Sequence, residues 1–253
     1  MKISIITSCL NNVNTIKYAV KSINGQTYNN IEYILVDGGS NDGTVEFLDS
    51  LNSENFKHPF KILKQLDKGI YHGLNSGVEM ATGDYIGFLH SDDVLENDSV
   101  IVNLVNAIIQ SDAQIVYADL VYVDKENVNK VIRYWKSSRF KPRYLKYGWL
   151  PPHPTLFVHK SIYEQYGNYD TSFKIAADYN FILKIFKTNI PKLYFPEIVY
   201  RMRLGGKSNK GVKNIVQKSK EDLRAIKQNN IGGYFTLFAK NISKIPQFIT
   251  RKI

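Results

Sequence analysis

Cysteine, late acidic residues and long apolar runs are all scarce in this sequence of 253 residues. Cys9 is its only cysteine, which excludes an internal disulfide framework and favours a reducing compartment. No run of about 18 apolar residues occurs, so we expect no membrane-spanning helix, and the N-terminus shows a strand pattern and no signal-peptide pattern. With 43% hydrophobic and 22% charged residues, the chain has the composition of a folded protein with one large or two small domains.

Acidic residues are absent after Asp222, and charge is divided unevenly along the chain. Residues 1–124 carry 7 Lys/Arg against 16 Asp/Glu, whereas residues 125–200 carry 13 against 5 and residues 201–253 carry 13 against 2. The overall formal charge is +10. An acidic first half and a basic end indicate two different tasks.

Strand and helix patterns alternate over the first half of the chain. Strand-like runs occupy residues 2–8, 31–36, 60–65 and 84–89, and helix-like segments lie at 13–25, 42–53 and 70–82. This alternation, with short Gly- and Asp-rich connections, predicts an α/β protein whose mostly parallel, Rossmann-like sheet is flanked by helices. Ligands of such sheets bind at the carboxyl ends of strands, where Asp37, Asp67 and Asp92 fall.

The pattern loosens after residue 98. Helices are predicted at 98–111, 160–167, 178–188 and 212–229, and a strand at 114–118. Residues 119–150 mix strand-like pieces with basic and aromatic residues, and a Gly-Gly pair precedes the final segment, 234–253.

The stretch Tyr85–Asp93 is the most informative, because an apolar, β-prone run ends there in two adjacent carboxylates, Asp92 and Asp93. Burying unpaired charge is costly, so a buried strand has no use for this pair. Two carboxylates at a strand exit suit a hard divalent cation, and the cation suits a phosphate. The pattern therefore indicates a metal–nucleotide enzyme, and turn formation by Asp92 is the structural alternative.

Two further polar loops follow predicted strands. In Val36–Thr44 the glycines permit tight turns and close approach of a ligand, while Asp42 or Ser40 could cap the next helix. Capping does not explain Asp37, which occupies the last position of a strand. In the next loop Asp67 either caps a helix or lines the same edge of the sheet.

Four segments of the first 93 residues lie in the order and at the spacing of one enzyme family. They are Ile3–Thr7 with Asn11 and Asn12, Val36–Thr44, Asp67–Tyr71 and Leu89–Asp93. Through them the chain resembles glycosyltransferase family 2, inverting enzymes of the GT-A fold that use nucleotide-sugars. His90 departs from the resemblance, because the family usually has Asn at that position.

The resemblance implies a role for each matching residue. Asp37 would accept a hydrogen bond from the nucleotide base, and Thr7 and Asp67 would lie along the nucleoside. Asp92 would contact the ribose or the sugar. Asp93 would ligate Mg²⁺ or Mn²⁺ at the diphosphate, where a cation stabilises the charge of the leaving group.

Two later segments extend the resemblance. Trp149–Thr155 is similar to a Pro-His-Pro-Thr segment of bacterial polysaccharide-assembly enzymes, which would place His153 near the diphosphate as a metal or phosphate ligand; a rigid proline loop is the alternative. Ile175–Asn180 is similar to the segment with the family's catalytic base, which implies that Asp178 deprotonates the acceptor. Many relatives carry Glu-Asp where this chain has Ala177-Asp178, and helix capping is the alternative role.

Residues 200–208 form a basic segment with two glycines, where relatives often carry a loop that closes over the nucleotide-sugar. The resemblance implies that Arg201, Arg203 or Lys207 neutralises the diphosphate, and the choice among the three stays open. A solvated basic loop is the alternative.

We expect residues 1–211 to form a GT-A domain, with a nucleotide-binding half at 1–98 and an acceptor-binding half at 99–211, followed by a basic helical extension at 212–253. Residues 234–253 combine Phe, Leu and Ile with Lys and Arg, the composition of a helix that lies on an anionic membrane surface. A tail packed on the domain is the alternative. No nucleic-acid motif accompanies this charge, so no nucleic-acid partner is expected.

These patterns together predict a metal-dependent inverting glycosyltransferase. It would move a hexose from a nucleotide-sugar, such as UDP-glucose, to a lipid-diphosphate-linked glycan in O-antigen or capsule assembly, at the cytoplasmic face of a bacterial inner membrane. A nucleotidyltransferase is the alternative enzyme, but its first loop needs the Gly and cationic residues that Cys9–Asn14 lacks. A catalytically inactive sugar-nucleotide or glycan-binding module is the third possibility.

Overall fold

The structure, a computed structural model, describes residues 1–65, 69–205 and 212–242. Its strands are β1 (Ile3–Cys9), β2 (Ile31–Asp37), β3 (Phe60–Lys64), β4 (Tyr85–Phe88), β5 (Val94–Leu95), β6 (Ile115–Val123), β7 (Val131–Trp135), β8 (Phe157–His159) and β9 (Lys192–Arg203). Its helices are α1 (Val13–Asn24), α2 (Thr44–Asp49), α3 (Ile70–Met80), α4 (Val100–Ser111), α5 (Lys160–Tyr166), α6 (Ala177–Phe186), α7 (Val212–Gln228) and α8 (Tyr234–Ile242). Short 3-10 helices occupy Pro142–Tyr147 and His153–Thr155.

Within these ranges the strands form one sheet in the order β3-β2-β1-β4-β8-β6-β9-β5, with β7 paired to β6. The four strands of the first half, β3, β2, β1 and β4, are parallel, as predicted. The short β8 then runs antiparallel to both β4 and β6, so the sheet as a whole is mixed. The predicted fold class, an α/β sheet flanked by helices, is confirmed.

Helices cover both faces of the sheet because neighbouring residues of a strand point to opposite sides. Ile6 of β1 packs in one core with the buried faces of α3, α5, α6 and α7. Ile5, the preceding residue, packs in the other core with α1, α2 and α4. The strands β1, β2 and β4 are buried on both sides and therefore read as continuous apolar runs.

Three strands, β5, β8 and β9, were not predicted, because none of them shows a clear strand pattern in the sequence. β5 and β8 contain two and three residues, too few for a period to show. β9 contains a proline at position 196, and its register against β6 shifts near that point. Gly87 of β4 makes room for β8, since a Cβ there would lie 2.6 Å from the ring of Phe157.

The described part of the C-terminal extension belongs to the main core. Ala225 and Ile226 of α7, and Ile231 after it, are buried in the same core as α6. The hydrophobic core therefore contains residues from both sides of position 211, where the sequence predicts the end of the GT-A domain. Residues 243–253 lie outside the described residues. Among those described, no helix combines the length and the apolar character needed to cross a membrane.

A buried ion cluster ties the start of the sheet together. The Glu32 carboxylate, 4% exposed, accepts hydrogen bonds from the Ser4 hydroxyl at 2.5 Å and the Lys2 ammonium at 2.9 Å. It also accepts the backbone N–H groups of Thr82 and Gly83, at 2.5 and 3.1 Å. Burial alone would raise the pKa of Glu32, but the bonds from Ser4, Lys2 and Thr82 outweigh it and lower the pKa to about 2.

We predict that Glu32→Gln lowers the free energy of unfolding at pH 7 by roughly 2 kcal/mol. The folded-state pKa of Glu32 lies below its ordinary value of 4.5, so its stabilisation is complete above pH 4.5 and is lost as the pH falls towards 2. Urea unfolding at a series of pH values checks this, because the difference between wild type and variant should shrink over that window. The exposed Glu164→Gln is the matched control and should change stability by less than about 0.5 kcal/mol. A difference that stays constant with pH would contradict the prediction.

Candidate active site

The carboxyl ends of β1, β2 and β4 meet at one edge of the sheet. Cys9, at the end of β1, pairs with Asp37, at the end of β2, and Ile6 of β1 pairs with Phe88, the last residue of β4. The loop after β4 carries Asp92 and Asp93 over the same edge. The parallel half of the sheet therefore brings Asp37, Asp92 and Asp93 to one side of the molecule.

Asp93 is a buried acid with an unused oxygen. The side chain is 1% exposed, and its Oδ1 accepts the backbone N–H of Arg203 at 2.7 Å. Its Oδ2 has no hydrogen-bond partner among the described residues. Burial, and then the neighbouring charge of Asp92, raise the pKa of Asp93 well above its ordinary range, although the Arg203 N–H and charge oppose them.

This arrangement fits a divalent cation, which would satisfy Oδ2 and neutralise the acid pair. The described residues contain no group of three or more His, Cys, Asp or Glu side chains that could hold a metal by themselves. A cation at Asp93 would thus complete its shell with phosphate oxygens and water, as Mg²⁺ does in many nucleotide sites.

The two predicted arginines are occupied by the protein itself. Arg203 donates from Nε to the carbonyl of Asp92 at 2.7 Å and from Nη1 to the carbonyl of Lys125 at 2.9 Å. These bonds hold the backbone of the loop that carries the acid pair. Arg201 forms an ion pair with Glu96 at 2.7 Å and donates to the carbonyl of Val128.

The arrangement of these arginines differs from the open basic loop offered as the alternative, and their contact with a diphosphate stays a prediction. β9 extends to Arg203 and pairs with β5 and β6, so both guanidinium groups belong to a paired strand and not to an open basic loop. Lys207, the third candidate, lies outside the described residues.

Asp178 lies in the first turn of α6 and is half-buried. The N-cap of α6 is Ala176, two residues earlier, so the alternative that Asp178 caps this helix is wrong. The Tyr71 hydroxyl lies 3.0 Å from Asp178 Oδ1 and 2.7 Å from the carbonyl of Ile175, both as acceptors.

Asp178 is ionised at neutral pH. Burial acts to raise the pKa of Asp178, but the His153 ring, the Tyr179 N–H, the Lys218 charge and the Tyr71 hydroxyl hold it below its ordinary range. A carboxylate in the first turn of a helix is also favoured by the helix dipole.

His153 is a neutral, packed imidazole. Burial lowers the pKa of His153 to about 4. Its Nε2 lies 2.8 Å from the Tyr169 hydroxyl, and its ring stacks on Phe88 with centroids 5.8 Å apart. One ring nitrogen of His153 is used by Tyr169 and the ring is packed in a proline-rich loop, which fits the rigid-loop alternative, and a contact of His153 with a metal or a phosphate stays a prediction.

His90, the position at which the sequence departs from the resemblance, is influenced electrostatically by both Asp92 and Asp178. Burial lowers the pKa of His90, while the charges of Asp92 and Asp178 both act to raise it. Its ring centroid lies 6.3 Å from that of His153. The charges of Asp92 and Asp178 therefore both act on one imidazole.

Comparison of the sequence with known protein families assigns the chain to one of them. The family profile "Glycosyl transferase family 2" matches residues 4–167, which is more than half of the chain. The chain belongs to glycosyltransferase family 2. An uncharacterised glycosyltransferase of Mycobacterium tuberculosis is 30% identical over 184 residues, covering 72% of this chain and 68% of that protein. A PGL/p-HBAD biosynthesis glycosyltransferase of Mycobacterium bovis is 27% identical over 183 residues, covering 72% and 69%.

Solved structures show that this family 2 member has the GT-A fold. Staphylococcus aureus TarS 1–349 in complex with UDP-GlcNAc superposes with a TM-score of 0.72 at 17% identity, over 91% of this chain and 66% of that one. A mannosyltransferase from Pyrobaculum calidifontis, in complex with GDP-Man and Mn²⁺, superposes with a TM-score of 0.68 at 17% identity, over 97% and 70%. Membership of the family excludes the nucleotidyltransferase alternative.

Two of the predicted nucleoside contacts serve the framework of the glycosyltransferase. Thr7 is 0% exposed, and its hydroxyl donates to the carbonyl of Leu89 at 2.6 Å, so it fixes the entry to the acidic loop and cannot line the nucleoside. The Asp37 carboxylate accepts the N–H groups of Gly39 and Ser40, at 2.9 and 3.0 Å, and the Ser40 hydroxyl. Asp37, at the end of β2, thus stabilises the turn that follows the strand. Its contact with a nucleotide base stays a prediction.

Two other acids complete the comparison of expected and observed positions. Asp42 accepts the N–H of Thr44 at 3.0 Å and the N–H of Val13 at 3.1 Å. The N-cap of α2 is Gly43, so Asp42 holds the turn before the helix and is not its N-cap residue. Asp67 lies outside the described residues. Tyr71, Tyr169 and Glu221, which contact or position Asp178 and His153, were not predicted, because their partners lie about 100, 16 and 45 residues away in sequence.

Proposed function

We propose that this family 2 glycosyltransferase transfers a hexose from a nucleotide-sugar, specifically a UDP-sugar such as UDP-glucose, to a sugar acceptor with inversion at the anomeric carbon. The observation that carries the proposal is that two carboxylates have different environments. Asp93 has a buried oxygen without a hydrogen-bond partner in the described part of the chain, whereas the surroundings of Asp178 lower its pKa and favour the ionised form. Solved neighbours of the same fold bind UDP-GlcNAc and GDP-Man. These ligands support a nucleotide-sugar donor.

The proposed reaction assigns one role to Asp178 and another to the pair Asp92 and Asp93. Asp178 accepts the proton of the acceptor hydroxyl as that oxygen attacks the anomeric carbon, opposite the departing diphosphate. Asp93 and Asp92 would hold Mn²⁺ or Mg²⁺, which stabilises the negative charge that develops on the leaving diphosphate. Tyr71 keeps Asp178 oriented through a hydrogen bond, and the His90 and His153 rings lie beside each other with centroids 6.3 Å apart.

We predict that Asp93→Asn abolishes stabilisation by Mn²⁺ and donor without destabilising the protein itself. Wild type should melt at a higher temperature with Mn²⁺ and the matching member of a UDP-, GDP-, CDP- and dTDP-glucose panel. The variant should show no such shift, while its melting temperature in EDTA equals or exceeds that of wild type, because a buried neutral amide costs less than a like-charged carboxylate.

Asp119→Asn is the matched control for a buried acid. Its carboxylate accepts the Ser137 N–H at 2.7 Å and the hydroxyls of Tyr194, at 2.9 Å, and Tyr134. Asp119→Asn should therefore lose about 1–3 kcal/mol of stability and keep the shift with Mn²⁺ and donor. Equal shifts in wild type and Asp93→Asn would refute the metal role of Asp93.

We predict that Asp178→Asn lowers the turnover number by roughly 100- to 10,000-fold, because it removes the general base. Donor binding should stay within about twofold of wild type, since Asp178 serves the acceptor side. Release of nucleoside diphosphate and thermal shift with the donor measure the two quantities. Asp112→Asn, at the end of α4, is the control, and its left-handed backbone with φ of 51° suits Asn. Near-normal turnover in Asp178→Asn with intact donor binding would overturn the assignment.

We also propose that α8 places the enzyme on the cytoplasmic face of a bacterial inner membrane, beside a lipid-diphosphate-linked glycan acceptor of O-antigen or capsule assembly. The distribution of polar and apolar residues on this helix is the reverse of that on a helix facing water. Thr236 and Lys240 are buried, whereas Phe235 and Phe238 are each 64% exposed. The exposed Tyr147 ring packs beside Phe235, with centroids 6.1 Å apart, and widens the apolar surface.

The charge of the surrounding segment supports an anionic membrane. Residues 201–253 carry 13 Lys/Arg against 2 Asp/Glu. An apolar helix face combined with cations binds the headgroup region of anionic bilayers. The buried anchor of α8 is an ion pair of Lys240 with Asp222 at 2.6 Å, so the helix is fixed to the domain while its aromatic face points outward.

We predict that Phe235→Ser with Phe238→Ser lowers partition into phosphatidylglycerol vesicles by roughly 10- to 100-fold, because two large apolar side chains leave the interface. Sedimentation with vesicles measures the partition. Ile109→Ser is the control, because Ile109 is a similarly exposed apolar residue on α4. Wild type and the double variant sedimenting equally would rule out α8 as the membrane contact.

A further inference from the structure

Helix α7 holds the segment that leads into α6 through a single buried carboxylate. Glu221 Oε2 accepts the backbone N–H groups of Ile175 and Ala176, at 2.8 and 3.0 Å. Glu221 Oε1 accepts the N–H of Lys174 at 3.0 Å and the side-chain amide of Gln217 at 2.8 Å. The residue is only 5% exposed, so water does not compete for these bonds.

These three consecutive N–H groups determine where α6 begins. The N-cap residue, Ala176, offers no side-chain hydrogen bond to the helix start. Glu221 accepts the N–H of this N-cap residue from another helix, the same backbone group that the glutamate of a capping box accepts within its own helix. Asp178 follows Ala176 by two residues, so the peptide planes fixed by Glu221 set the position from which the Asp178 carboxylate projects.

A second contact holds the preceding part of the same segment. Arg224, one turn after Glu221, donates to the Ser172 hydroxyl at 2.8 Å, and its guanidinium lies 4.2 Å from the centroid of the Phe173 ring. On the opposite side, the Tyr71 hydroxyl lies 2.7 Å from the Ile175 carbonyl. Residues 172–176 are therefore held between α3 and α7.

We infer that Glu221 is a positioning residue for the catalytic base: it fixes residues 174–176 so that Asp178 meets the acceptor hydroxyl. The inference rests on the proposed role of Asp178 as the base. It assigns a catalytic purpose to α7, although the sequence places that helix in a basic C-terminal extension. The acceptor-only chemistry of a carboxylate is essential, because three N–H donors converge on its two oxygens.

The test compares Glu221→Gln with wild type. Glutamine replaces one acceptor oxygen by an NH₂ donor, which faces backbone N–H groups and forces the segment to shift. A displacement near 1 Å at a reacting group costs about 100-fold in rate, so we expect the turnover number to fall about 10- to 100-fold. The Michaelis constant and the thermal shift for the donor and Mn²⁺ should stay within about twofold, because the donor side is untouched.

Asp222→Asn is the matched control. Asp222 is the neighbouring buried acid of α7, and it pairs with Lys240 instead of with the segment before α6. Its loss should lower the melting temperature but leave turnover near that of wild type when both are measured well below their melting temperatures. A general loss of stability in α7 would thus be separated from a displaced base.

Three results overturn the inference: wild-type turnover in Glu221→Gln, a loss that appears in the Michaelis constant instead of turnover, or an equal loss of turnover in Asp222→Asn. If Glu221→Gln does not fold, Glu221→Asp provides the same test, since its shorter acid recedes from the three N–H groups. Asp178→Asn separates this inference from the proposed function. An inactive Asp178→Asn with an active Glu221→Gln refutes the inference alone, whereas an active Asp178→Asn refutes the proposed base itself.

Discussion

The site is organised around a carboxylate oxygen that the protein buries and leaves without a partner within the described ranges, Asp93 Oδ2. Such a group destabilises a fold unless a ligand compensates for it. The buried acids Glu32 and Asp119, in contrast, have both carboxylate oxygens hydrogen-bonded. Asp93 differs from these two structural acids in its unused oxygen, next to the second acid Asp92. Arg203 supports the loop with a backbone N–H and its guanidinium, yet contributes no bond to Oδ2.

The two halves of the chemistry differ in how the protein holds them. The metal side depends on the parallel half of the sheet, where β1, β2 and β4 bring their carboxyl ends to one edge. The base side depends on helix packing, because α6 starts only where Tyr71 and Glu221 fix the preceding segment. His90 is common to the two halves, because the charges of Asp92 and Asp178 both act on its ring, and that ring lies 6.3 Å from the ring of His153.

The C-terminal helices show how composition can mislead about position. The net positive charge of residues 201–253 suggested an appendage, and the cations of α7 and α8 do contribute to the surface. The same helices nevertheless share the main core through Ala225 and Ile226, and α8 docks through the buried Lys240. Its approach to the domain is close: a Cβ on Gly148, whose φ is 74°, would lie 2.3 Å from the Lys240 backbone.

The sequence alone determined the parallel half-sheet, the helices around it, the family and the acidic loop that ends in Asp93, because local periodicity and contiguous motifs encode them. Tertiary structure decided the rest. It showed that Thr7, Arg201 and Arg203 make contacts within the framework, that the Asp37 carboxylate shapes the turn after β2, and that burial lowers the pKa of His153 to about 4. It also brought Glu221 to the start of α6. Contacts between residues tens of positions apart leave no local pattern, so only the folded chain reveals them.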